Sequence, residues 1–292
     1  MFSRTKPRRF ALILHAAAHF LAFGSLAGQE IDPSAPPYIP TPMPLVERML
    51  DMAKVAAGDV VYDLGSGDGR LVIAAAGRGA RGVGIEYEAW LVERSRAAAD
   101  SANVGERVSF IHGDIFDHEV TDASVVMLYL GADFNVRMRP RLLEQLRPGA
   151  RVVSHGFHMG DWRPDGEETV GSGAGRATLF FWVIPARVDG FWSLEVEGLA
   201  TSTLEFQQEF QMLQGELRRG SFVRRVDEGR VDGKGFRFSA VDRLGTRDTP
   251  LEFSGSLVDG RIEGIVRGPP EWGIRRWRAL RFTDPALSPG VP

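Results

Sequence analysis

No cysteine occurs among the 292 residues. That absence removes disulfides, thiolate metal sites and thiol nucleophiles together, and it leaves the redox compartment unmarked. An excess of basic charge is also missing: 35 Lys and Arg stand against 38 Asp and Glu, for a formal net charge of -3. Four of the basic residues, Arg4, Lys6, Arg8 and Arg9, lie in the first 27 positions, which hold no acid, so the remainder carries 31 basic against 38 acidic residues. A surface of that sign argues against nucleic acid as a partner, because neutralising phosphates takes clustered Lys and Arg. Nor does the chain carry the Gly-Lys-Ser/Thr of a P-loop or the His-Glu-x-x-His of a zinc-protease helix. His155 and His158 have no third ligand in view, so no metal is expected. What is present, 43% hydrophobic and 25% charged residues, is the composition of a globular protein long enough for one α/β domain and a second, smaller unit.

The basic residues at the start precede a mostly apolar run, Phe10 to Leu26, and the small residues Ser25-Leu26-Ala27 follow at a cleavable spacing. This is the layout of a secretory signal over residues 1–27, or of an uncleaved membrane anchor if the run stays in place. The expected location is therefore exported, periplasmic or extracellular, or membrane-anchored. Arg8-Arg9-Phe10 hints at twin-arginine export, although the rest of that motif is poorly matched. Residues 28–43 are rich in proline, from Asp32-Pro33 to Pro40-Thr41-Pro42, and should run extended over a surface.

Pro44 can open a helix with an apolar face of Leu45, Val46, Met49, Leu50 and Met52, which Gly58-Asp59 would end. Beyond it, strands alternate with helices. Strands are expected at Val60 to Leu64, Gly82 to Glu86, Val108 to His112, Val125 to Tyr129 and Arg151 to Gly156. Helices are expected at Leu71 to Ala76, Trp90 to Ala102 and about Val136 to Leu146. That order implies a doubly wound α/β domain over 44–185, with Thr178 to Ile184 as an antiparallel closing strand at the sheet edge. After Pro185 helical periodicity disappears. Leu204, Phe206, Phe210 and Met212 fall at even positions of one long run, and Asp259-Gly260 separates two alternating segments as a hairpin turn. Residues 186–284 thus read as a small all-β sandwich or barrel, and 285–292 as a tail.

The chemistry concentrates at Asp63-Leu64-Gly65-Ser66-Gly67-Asp68-Gly69-Arg70. A strand, a turn with three glycines and a helix place backbone amides and a helix N-terminus against a ligand. A dinucleotide fingerprint needs glycine or alanine where Arg70 stands, so that reading fails. Glu86 closes the second strand, where a carboxylate can accept from both hydroxyls of a ribose. Asp114 follows the third strand, where it can accept from an adenine amine while Ile115 packs on the ring.

These acids and glycines, with Leu146-Arg147-Pro148-Gly149 before a strand, resemble the successive motifs of class I S-adenosylmethionine-dependent methyltransferases. Tyr38-Ile39-Pro40-Thr41-Pro42, Gly84-Ile85-Glu86, Trp90-Leu91-Val92 and Trp162-Arg163-Pro164 are similar to the protein-lysine methyltransferases related to the mitochondrial ATP synthase c-subunit enzyme. The likeness covers residues 38 to about 165. It implies a seven-stranded Rossmann-like domain and S-adenosyl-L-methionine as cofactor. It assigns Asp63, Gly65, Gly67 and Asp68 to the methionine part, Glu86 to the ribose and Asp114 to the adenine. Ser66, Gly69, Tyr87 and Ile115 complete the cofactor set, and Pro40 and Thr41 serve either as a lid over it or as plain linker.

Methyl transfer asks the protein mainly to align the acceptor, and a lysine acceptor must first lose its proton, which an apolar aromatic channel favours. Tyr129 is the residue expected to line that channel, within Leu128-Tyr129-Leu130-Gly131-Ala132-Asp133-Phe134-Asn135; a packed core aromatic is the competing reading. The Asn-Pro-Pro-Tyr of many N-methyltransferases is absent. The leading expectation is methylation of an amine on a protein. A small-molecule acceptor is one alternative, and an exported binding protein that keeps the fold without turnover is another.

Overall fold

The computed structural model describes residues 38–242 and 250–282. The segment read as signal or anchor, the first part of the Pro-rich stretch and the tail lie outside the described residues. The α/β part runs α1 (Met43–Met52), β1 (Val60–Leu64), α2 (Arg70–Gly77), β2 (Arg81–Glu86), α3 (Ala89–Ser101), β3 (Val108–His112), β4 (Val125–Leu128), α4 (Ala132–Gln145), β5 (Arg151–His155), β6 (Gly166–Val170) and β7 (Ala177–Val183). These strands form a seven-stranded sheet in the order β3-β2-β1-β4-β5-β7-β6. β1 to β5 are parallel, and β7 runs antiparallel to both β5 and β6. Both faces are covered, and the strands divide their side chains between them. Val61, Val125, Met127 and Val153 pack toward α1 and α2, while Tyr62, Leu64, Val126, Leu128 and Val152 pack on the α4 side. A parallel sheet buried on both faces explains why its strands read as continuous apolar runs.

Four sequence expectations shift. The first helix stops at Met52 and not at Gly58, because Lys54 takes a left-handed conformation (φ 51°). The amide of Lys54 then bonds the Asp51 carbonyl (2.9 Å), and that of Val55 bonds the Leu50 carbonyl (2.9 Å). This is a Schellman cap with lysine where glycine is usual. α4 starts at Ala132, four residues before the expected Val136. Gly131 (φ 112°) turns the chain, Asp133 favours the first turn, and the helix carries Pro140 inside it. β7 is not the edge strand. β6, short and alternately exposed, takes the edge position. Finally, the run through Phe210 is two strands with a turn between them.

The C-terminal part consists of β8 (Gly190–Val196), β9 (Ser202–Glu209), β10 (Met212–Arg219), β11 (Phe222–Asp232), β12 (Gly235–Asp242), β13 (Leu251–Val258), β14 (Arg261–Arg267) and β15 (Ile274–Phe282). They close into an eight-stranded barrel in which β8 pairs with both β9 and β15. Asp259 and Gly260 both have positive φ (49° and 78°), as a tight hairpin turn between right-twisted strands requires. Phe210, at the β9–β10 turn, also has positive φ (51°) and leaves the barrel interior, and Met212 is exposed. Trp192, Phe206, Phe236, Phe238, Phe253 and Trp277 fill the lumen, with the rings of Phe238 and Phe253 stacked at 4.6 Å. Eight strands enclose just enough space for side chains, and here aromatic rings occupy it.

Candidate cofactor and acceptor site

The carboxyl ends of the neighbouring parallel strands β1, β2, β4 and β5 lie along one side of the sheet, where open α/β sheets form a ligand-binding crevice. The turn after β1 is folded in advance. The amides of Gly65 and Ser66 both reach the Ile85 carbonyl (2.9 and 3.0 Å), and that of Gly69 reaches the Ser66 carbonyl (2.9 Å). The amide of Gly67 donates to Glu86 Oε2 (2.7 Å). These four amides are therefore engaged inside the protein, contrary to the expectation that the turn offers its amides outward. What the turn gives the crevice is space. Gly65 and Gly67 have positive φ (77° and 56°), and a side chain at Gly65 would meet Leu130 Cδ2 at 2.5 Å.

The acids divide by environment. Asp63 is buried, and no hydrogen bond to its carboxylate is present among the described residues. Burial first, then the negative charges of Glu86 and Asp68, raise its carboxyl well above the ordinary range. Asp68 goes the other way: burial pushes it up, but the bonds and charge of Arg70 outweigh that and leave it lowered. Arg70 grips Asp68 with two nitrogens (2.8 and 2.6 Å) and donates to the Thr41 carbonyl (3.0 Å). Glu86 accepts at Oε2 from Gly67 and at Oε1 from the Glu88 amide (2.9 Å). Each oxygen keeps a further lone pair, so the carboxylate is fixed in orientation and still able to accept from two hydroxyls.

Around this centre the other expected residues are unevenly placed. Asp114 is exposed, and its Oδ1 accepts from the Phe116 amide (2.9 Å), while Ile115 is buried in the core on the α4 side. Tyr87 is exposed beyond β2. Pro40 is exposed and Thr41 is buried. Tyr38, just before them, lies over Gly67, where an added Cβ would sit 2.6 Å from its ring, and burial, then the charge of nearby Asp68, raise its pKa. Ser66 is buried with no partner for its Oγ among the described residues.

Tyr129, expected as the last residue of the strand, follows β4 half-buried, and its ring stacks on His155 at 3.9 Å between centroids, with Phe157 next at 5.9 Å. In the sequence His155 stands out only as a weak metal candidate. In the structure it is a buried ring whose Nδ1 lies 3.2 Å from Thr41 Oγ1, and burial lowers its pKa, which favours the neutral imidazole. Its place at the end of β5 is the signal that points to it, since the ends of the central strands line the crevice. Sequence reasoning misses Ser95 as well. Buried on α3, it donates to the Gly67 carbonyl (3.0 Å) and steadies the turn.

The set fits S-adenosylmethionine on this chain's own features. Asp63, buried beside Glu86 and the Arg70-paired Asp68, has no cation of its own among the described residues, and the cofactor carries positive charge at its sulfonium and ammonium. The glycines let Leu130 and Tyr38 come close over the turn, Ser66 Oγ has no partner among the described residues, and Glu86 presents two oriented oxygens for a ribose. Asp63 and the turn would hold the methionine part, Glu86 the ribose, Asp114 and Ile115 the adenine.

The chain is similar to known methyltransferases. The family model described as the ANTKMT methyltransferase domain matches residues 63–166. The chain is 38% identical over 150 residues to a protein-lysine N-methyltransferase of Saccharolobus islandicus (strain REY15A), covering 51% of this chain and 93% of that protein. It is 34% identical over 145 residues to the adenine nucleotide translocase lysine N-methyltransferase of Mus musculus, covering 49% of this chain and 62% of that one. A crystal structure described as an RNA methyltransferase from Salinibacter ruber with S-adenosyl-L-homocysteine is 50% identical, with a TM-score of 0.48, over 51% of this chain and 96% of that one. The barrel falls outside the family match. On this likeness, the chain belongs to the family of S-adenosylmethionine-dependent methyltransferases that includes the protein-lysine N-methyltransferase of Saccharolobus islandicus.

Proposed function

We propose that the acceptor is the side-chain amine of a lysine on a protein partner. The observation that carries this reading is the stacked wall of Tyr129, His155 and Phe157 at the ends of β4 and β5. A lysine ammonium entering along apolar ring faces loses hydration, which favours the neutral amine whose lone pair is the nucleophile. His155 keeps its own ring neutral by burial, so it adds no positive charge against the incoming amine. The cofactor supplies the electrophilic methyl carbon. The wall holds the amine in line with it, and water is kept out by the Tyr38 to Thr41 segment that Arg70 ties to Asp68. The relatives named as lysine methyltransferases support the same acceptor.

The test is incubation of the full chain with methyl-labelled cofactor and host lysate, followed by mass spectrometry. Label on lysine Nζ is expected, and a Tyr129→Ala variant should lose most of it. Label confined to small molecules would overturn the reading. We also propose that residues 1–27 direct export or anchor the protein in a membrane, on the charge and apolar pattern of that segment. N-terminal sequencing and fractionation of the protein from its native host decide this: an intact Met1 on soluble cytoplasmic protein would refute it.

A further inference from the structure

The loop between β5 and β6, residues 156–165, carries Phe157 of the aromatic wall, and it is gripped from two directions. From α4, Asn135 Nδ2 donates to the Phe157 carbonyl (3.0 Å), and Arg139 donates to the Met159 carbonyl (2.8 Å) and pairs with Asp161. From the barrel, three residues take hold of the far half of the loop. The ring of Phe210 stacks on Trp162, with centroids 5.8 Å apart and planes 18° from parallel. Gln211 accepts from Trp162 Nε1 (2.8 Å) and donates to the Arg163 carbonyl (2.7 Å). Arg230 of β11 pairs with Asp165, whose other oxygen accepts from the Val183 amide (2.7 Å).

Trp162 and Gln211 are at most 1% exposed, so this junction is core and not a surface contact. Its polar groups satisfy one another across the two domains. A domain that swung freely would have no use for a buried glutamine bonded at both ends to a loop of its neighbour, and breaking those bonds leaves desolvated partners behind. The same Phe210 ring lies under the Arg139 guanidinium (5.0 Å), so barrel, loop and α4 meet at one point.

We infer that the barrel is a positioning module for methyl transfer: Gln211 and Arg230 hold the 156–165 loop so that Phe157 and His155 set the orientation of Tyr129. They are positioning residues that act through the loop, not catalytic ones. The inference rests on the proposed acceptor wall, and two independent readouts separate its failure from the failure of that reading.

The first readout needs no acceptor. The chain has four tyrosines, so 3-fluorotyrosine labelling of the full chain gives a short 19F spectrum in which Tyr129→Phe identifies the Tyr129 line. Gln211→Ala and, separately, Arg230→Met should shift or broaden that line while leaving the line of Tyr62, held in β1 with its hydroxyl on Asp122, in place. Arg230→Met removes the ion pair and the contact with Met212 Sδ (3.9 Å), leaves Gln211 in place, and guards against Gln211→Ala failing to fold. The second readout is methyl transfer to poly-L-lysine. Both variants should raise the acceptor KM at least fivefold with cofactor affinity unchanged within twofold. Unmoved Tyr129 lines in folded variants would overturn the inference whatever the kinetics. Moved lines with an unchanged acceptor KM would keep the mechanical coupling, overturn its role in catalysis and count against the acceptor wall.

Discussion

Gly67→Ala, compared with Gly58→Ala, separates backbone strain from obstruction of the cofactor site. Both glycines have positive φ, 56° and 92°, so alanine at either position costs about 1–2 kcal/mol in the folded backbone. At Gly58 nothing lies within 4 Å of the added Cβ. At Gly67 the Cβ would sit 2.6 Å from Tyr38 Cε2 and 3.1 Å from Cδ2, so the ring must swing away. That motion gives up its edge-on contact with Trp90, at 6.1 Å between centroids, a further loss of about 0.5 kcal/mol at an exposed site. Thermal melts should therefore differ little between the variants, each falling by about 2–8 °C. Cofactor binding should differ a great deal. Tyr38 closes over the turn at Gly67; once displaced, it no longer shields the methionine end, and calorimetric titration should show Kd rising about tenfold, or about 1.4 kcal/mol. Gly58→Ala should stay within twofold of wild type. Equal Kd values for the two variants would refute the assignment of Tyr38 and Gly67 to the cofactor site.

Asp63→Asn should make the cofactor-free protein more stable at neutral pH while weakening cofactor binding. Burial, Glu86 and Asp68 raise the folded carboxyl above its ordinary 3.8, so the native state holds more protons than the unfolded one as pH climbs from there. Stability then falls with rising pH until the folded pKa is passed, and the Asn variant should lack that slope in melts from pH 4 to 8. Wild-type and variant curves that stay parallel would refute the argument. His155 has the opposite sign. Burial lowers its folded pKa below the ordinary 6.5, so its contribution is intact above 6.5 and is lost as pH falls below it. His155→Phe should flatten the urea-midpoint profile between pH 7.5 and 5, and an unchanged slope would show that His155 is not the titrating group.

The turn of the cofactor site was legible because its demands are local. A buried strand must stop, glycines must take positive φ, and an acid must close the next strand, all within the 24 residues from Asp63 to Glu86. The alternation of strands and helices was legible for the same reason. Local rules failed where another conformation satisfied them. Lys54 caps α1 in a glycine conformation, Phe210 turns a hairpin with positive φ, and Gly166–Val170 is too polar to announce an edge strand. The acceptor side was less legible still. Thr41 and His155 lie 114 positions apart, and their contact exists only once the extended N-terminal segment crosses the end of β5.

The junction between the two domains shows why pattern reading stops where it does. Gln211 sits beside Phe210 in a two-residue hairpin turn, a place where a polar side chain reads as solvated. Its burial follows from Trp162, 49 positions earlier, whose indole needs an acceptor in the core. A leucine at 211 would suit burial but would strand both Trp162 Nε1 and the Arg163 carbonyl, and an exposed glutamine would leave them unpaired as well. The register of barrel against loop found here satisfies all three groups. The polar core of this junction therefore selects an arrangement more than it adds net stability, since each bond replaces one made with water in the unfolded chain. A selective arrangement next to the acceptor wall is what a positioning module requires.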